Sequence, residues 1–134
     1  MLKKDYLGRQ FEEFGKVMAV ILGFKKLQDW DKFEKEIADA SKKFTSLEIN
    51  HLESFTNEGF EKEILTHPTL TQAQKKILAD LLFEKLNFYA AQNNETNYQK
   101  LKEKCLSIYT HIQNDQTENE FDMNVHYKLE ILKR

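Results

Sequence analysis

Apolar residues recur at alternating intervals of three and four along most of this chain, and little in the sequence interrupts them. That spacing puts them on one face of an α-helix. The strong breakers are only four glycines and one proline in 134 residues. An all-β chain spends such residues on a turn about every 8–12 positions, so this composition favours helix. The length is that of one ordinary domain. Hydrophobic residues make up 40%, ten of them Phe, which suffices for a core without disulfides or metal. The reading is therefore all-α: antiparallel helical hairpins, about 5–7 helices in one domain over residues 1–134.

A first hairpin is expected over 4–44. Leu7, Phe11, Phe14, Met18 and Ile21 share one face, with Val17, Val20 and Phe24 beside it. From Val17 onward this helix is apolar nearly all round, so it is either the central element or partly faces a second chain. Asp29 is a good N-cap for a second helix carrying Trp30, Phe33, Ile37, Ala40 and Phe44. A link of a few residues makes the pair antiparallel. Short irregular helices follow over 46–67: Thr45-x-x-Glu48 reads as a capping box, and His67-Pro68 ends the segment. The second hairpin, 71–113, opens on the capping box Thr71-x-x-Gln74. Ile77, Leu78, Leu81, Leu82, Leu86 and Tyr89 give it one broad face, and Gln92-Asn93-Asn94 breaks it. Tyr98, Leu101, Cys105, Ile108 and Ile112 then mark its second helix. The tail fits two periods. Phe121 to Ile131 alternates like a strand, while Phe121, Val125, Leu129 and Leu132 keep helical spacing. A lone strand has no partner for its backbone, and Thr117-x-x-Glu120 looks like a cap, so a helix over 118–133 is favoured. A strand there would have to pair with its own copy in a dimer.

Charged residues make up 31%, mixed in sign, with a net charge of −2. That is a solvated surface, not a nucleic-acid footprint, and Lys100, Lys102 and Lys104 are read as part of it. The longest apolar run, Val17 to Leu22, is far too short to span a membrane, and charges precede it where a signal peptide would be apolar. With one cysteine, Cys105, the chain is expected to be cytoplasmic.

No catalytic or metal-binding constellation stands out, and no cofactor is implied. Glu48-x-x-His51 is half of a helical di-iron pattern, but His67, His111 and His126 lack the matching Glu. Cys105 lies on an apolar stripe, where packing rather than thiolate chemistry is expected. Phosphate-loop and nucleophile-elbow motifs are missing.

Laying Asp29-Trp30 over Asn94-Glu95 puts Val17, Ile21 and Phe24 on Leu82, Leu86 and Tyr89. It also puts Phe33, Ile37 and Ala40 on Tyr98, Lys102 and Cys105. That unit resembles the tetratricopeptide repeat, with Ala40 and Cys105 at its small position. The chain over about 3–112 also resembles a family of short bacterial proteins of unknown function with a tetratricopeptide-like core. The resemblance rests on Lys4 to Leu7, Phe11-x-x-Phe14, the hairpin after Asp29, Leu81 to Tyr89 and Tyr98 to Tyr109. It implies a fold and no activity. In the repeat register, Met18, Leu22, Lys25, Phe83 and Asn87 fall on the groove used for partner peptides. The leading expectation is a non-catalytic protein-interaction module with a protein partner, a homodimer being one form of it. The second is a small-molecule binder with a cavity lined by Phe14, Phe24, Trp30, Tyr89 and Tyr109.

Overall fold

A computed structural model describes residues 2–115 and 122–134, with side chains described from residue 8. Among these, every regular element is helical: α1 (Leu2–Leu27), α2 (Trp30–Thr45), α3 (Ile49–Glu53), α4 (Asn57–Phe60), a π-helical turn (Glu61–Leu65), α5 (Gln72–Ala91), α6 (Glu95–Asn114) and α7 (Met123–Leu132). None of these helices is long and apolar enough to cross a membrane.

Two tight turns of one design join α1 to α2 and α5 to α6. Gln28 and Asn93 each take the left-handed conformation, with φ of 57°. Their amides donate to Lys25 and Ala90 carbonyls, and those of Asp29 and Asn94 to Phe24 and Tyr89. The Asp29 and Asn94 side chains then accept from Lys32 and Asn97 amides, capping the next helix. The turns coincide in the register that the sequence comparison uses.

Side-chain contacts fix the helix directions. Gln10 donates to the Phe44 carbonyl, and the Phe14 and Phe44 rings meet edge to face at 5.5 Å, so α1 and α2 run antiparallel. Lys75 lies 3.2 Å from His111, and Tyr109 donates to Asp80 at 2.7 Å, which sets α6 antiparallel to α5. Gln74 reaches the Phe44 carbonyl, and Phe88 meets Trp30 and Phe33, so α2 and α5 also oppose each other.

The sequence offers α1 as a candidate centre. The centre is instead α5, whose residues from Ile77 to Leu86 are all buried except Asp80, which is half-buried. It packs against α1, α2 and α6. Lys76 pairs with Asp122 before α7 at 2.6 Å, and Asp80 with Lys128 on α7 at 2.8 Å. Phe11, Val20 and Leu22 of α1 remain 39–46% exposed.

Three smaller expectations change. Thr45 ends α2 instead of capping α3: its hydroxyl donates to the Ser41 carbonyl at 2.6 Å and accepts from the Leu47 amide. Glu48 precedes α3 without a side-chain cap. The tail is a helix, but Asp122 caps it by accepting from the Asn124 and Val125 amides. Thr117-x-x-Glu120 lies outside the described residues. Asp29 and the Thr71–Gln74 capping box are as the sequence predicts.

A left-handed glutamine is strained, whereas asparagine tolerates this conformation better. Gln28→Gly should therefore stabilise the fold by about 0.5–1 kcal/mol, and Asn93→Gly by less. Urea denaturation of the two variants checks this; a loss of stability in Gln28→Gly would refute the strain.

Candidate functional site

The five residues of the expected groove separate into three places. Met18 is half-buried against the core, and Leu22 is exposed on α1. Lys25 crosses to Glu84 of α5 at 3.0 Å, and Asn87 donates to the same carboxylate oxygen at 3.4 Å. Phe83 points elsewhere: it is buried against Tyr109, with the Lys128 ammonium 5.2 Å from its ring centre. Lys25 and Asn87 are thus brought together through Glu84, while Phe83 is covered by α6 and α7.

The aromatic residues proposed to line a cavity engage other rings and charges. Phe14 meets Phe44, Trp30 meets Phe33 and Phe88, Tyr89 meets Phe88, and Tyr109 meets Phe83. Phe24 carries Lys32 over its ring. These contacts fill the interior between helices.

The outer face of α1 has a different character. Gly8, Phe11, Gly15, Ala19 and Leu22 follow each other at three- and four-residue steps and are all exposed. A Cβ placed on Gly8, Gly15 or Gly23 would meet nothing within 4 Å, and none of the glycines has positive φ. Among the described residues, neither packing nor backbone conformation calls for glycine there.

A polar recess of about 260 Å³ opens between α3, α5 and α6. Glu53 lies in its wall and accepts from Tyr89 Oη at 3.1 Å and from Lys85 at 2.9 Å. Lys85 also donates to Asn50. From α6 come Asn97, Lys100 and Lys104, which the three- and four-residue steps of the helix set on one face. The sequence reads Lys104 as surface charge; the structure buries it to 3% exposure, in the wall of the recess that Leu101 also lines. Burial pushes the Lys104 ammonium below its usual range, against the pull of Glu53 and with the push of Lys100. The signal missed was its position, three residues after Leu101 and next to Cys105 on the buried stripe.

Other chemistry is quiet. Among the described residues no group of three His, Cys, Asp or Glu could hold a metal. His51 packs on Phe55, and Glu48 faces Lys42 at 4.0 Å. Cys105 is fully buried, and burial, then the charge of Glu53, pushes its thiol up, the reverse of a reactive thiolate. The chain matches no family model, no curated protein and no solved structure.

Cys105, Tyr109 and the half-buried Tyr89 set a pH dependence. Burial, then Glu53, raises the Tyr89 hydroxyl, and burial, then Asp80, raises that of Tyr109. In the unfolded chain a thiol ionises from about pH 8.5 and tyrosines from about pH 10. The folded chain keeps these protons longer, so it binds more protons and loses stability as pH rises. Lys104 acts oppositely, because the unfolded chain holds that proton more tightly up to about pH 10.4. With three groups against one, stability should fall from about pH 9. Cys105→Ala should delay the fall towards about pH 10. Denaturant midpoints taken across this range test it, and an unchanged onset in the variant would contradict the assignment.

Proposed function

We propose that this chain is a tetratricopeptide-like interaction module that docks a partner helix on the outer face of α1, a second copy of the chain being the partner. The observation that carries the reading is the set of exposed glycines beside exposed Phe11 and Leu22. Glycine within a helix costs about 0.5–1 kcal/mol relative to alanine. Among the described residues nothing offsets that at Gly8, Gly15 or Gly23. Close approach of another backbone does, and exposed apolar neighbours supply the burial. Leu22 belongs to this surface, while Met18, half-buried against the core, and Lys25, tied to Glu84, lie beside it.

The reading is of a binding protein, not a catalyst. Its support is that the converging polar groups of α5 are engaged in ties between helices. A single cysteine, buried and unpaired with another, fits a reducing compartment such as the bacterial cytoplasm.

Light scattering across concentration tests the docking. The wild-type chain should show the mass of more than one copy at high concentration. Gly15→Leu should reduce it to a single copy while raising its melting temperature, because leucine favours helix and its Cβ has nothing within 4 Å among the described residues. Ala19→Arg should also abolish association. A wild-type protein of single-chain mass at every concentration would refute self-docking.

A further inference from the structure

We propose that the recess between α3, α5 and α6 binds the phosphate group of a small molecule, with Lys104 and Lys100 as its cationic ligands. This site is separate from the α1 face and does not depend on its role.

The argument starts from Lys104. A buried ammonium needs a partner, because removing it from water is costly unless a hydrogen bond or counter-charge replaces the lost solvation. Every other buried charged side chain among the described residues has one. Lys85 has Glu53 and Asn50, Lys75 has the Leu65 carbonyl and His111, and Glu84 has Lys25. Lys104 is 3% exposed, and among the described residues its ammonium makes no hydrogen bond and no ion pair. Nor is it sealed away: the only sealed side-chain polar atom without a partner among those residues is Gln72 Oε1. The nitrogen therefore borders the recess, whose wall includes Lys104. A buried charged group that opens on a cavity is placed to meet a water or a counter-ion there.

The charges around the recess define that ion. Glu53 holds Lys85 and the Tyr89 hydroxyl and makes no ion pair with Lys104, although its charge is felt there. Lys104 and Lys100 remain, two positive charges on one face of α6, with the Asn97 amide beside them as a neutral donor. A phosphate monoester carries about −1.5 to −2 at neutral pH and presents three acceptor oxygens. It balances both ammoniums, whereas a carboxylate balances one. At about 260 Å³ the recess is smaller than a drug-sized pocket, which begins near 300 Å³, so the rest of the molecule must be small.

Nuclear magnetic resonance titration of the full chain, at constant ionic strength, tests this with inorganic phosphate, glycerol 3-phosphate and acetate as probes. Both phosphates should give saturable shifts at the amides of Asn97, Lys100 and Lys104. Tighter binding of the ester than of the free ion would identify an organic phosphate, and the reverse would identify inorganic phosphate as the ligand, which would overturn the small-molecule assignment. Lys104→Met keeps the length and apolar stem of the side chain and should weaken binding about tenfold or more. Lys100→Met should weaken it as well and serves if the first variant does not fold. Lys35→Met, on the exposed side of α2, should leave it unchanged. Phosphate should raise the melting temperature of the wild type but not of Lys104→Met. No saturable shift on α6, equal binding by Lys104→Met, or acetate binding as well as phosphate would each overturn the proposal.

Discussion

Burial of α5 on every side is the constraint on which the rest of this structure depends. A helix so enclosed would ordinarily be apolar throughout, yet α5 carries Lys75, Lys76, Asp80, Glu84 and Lys85. Each can be enclosed only because it finds a partner on another element. Lys75 reaches the end of the π-helical turn and α6, Lys76 the cap of α7, Asp80 both α6 and α7, Glu84 α1, and Lys85 α3. Hydrophobic contact alone lets neighbouring helices slide or rotate with small loss. Charges in a low-dielectric interior do not, since a displaced partner leaves a bare ion behind. The apolar residues of α5 thus drive collapse, and its polar residues set the position of each surrounding helix.

The same arrangement explains where surface remains for binding. Around α5 the charged groups find partners on other elements, and the neighbouring apolar side chains are covered. Away from it, the outer side of α1 keeps apolar and small residues in contact with solvent, and α6 holds a buried lysine with no ion-pair partner among the described residues. Both features lie one helix removed from the centre. In both, something is left over after α5 has been enclosed: apolar area in one case, positive charge in the other.

Much of this was legible beforehand, and the misses have physical reasons. The three-and-four spacing located α1, α2, α5 and α6 to within a few residues, and the caps at Asp29 and Thr71 marked true helix starts. The spacing did not reveal which helix is innermost. It reports that a face is apolar, not how many neighbours enclose the remaining faces, so α1 with its run of apolar residues competed with the more mixed α5. Pairing across 46 or 48 positions, as for Lys76 with Asp122 and Asp80 with Lys128, leaves no local trace. Thr45 misled because a threonine hydroxyl bonds backwards at a helix end as readily as it caps a helix start. Lys104 was misjudged because a long aliphatic stem packs like an apolar residue while its charged end obeys other rules. The groove residues Met18, Leu22, Lys25, Phe83 and Asn87 came from an alignment of two hairpins, which cannot see that α7 covers only the second of them.

The ties of α5 also grade how the molecule comes apart. Releasing α1 breaks the exposed Glu13–Lys43 pair and the Lys25–Glu84 pair, in which Lys25 is already partly solvated and Glu84 keeps the Asn87 amide. Releasing α6 and α7 strips Asp80 of both Tyr109 and Lys128 in the interior. Local opening therefore starts at the first helix and becomes harder towards the second hairpin. On that grading, amide hydrogens of α1 should exchange with solvent through smaller openings than those in the middle of α5 and α6.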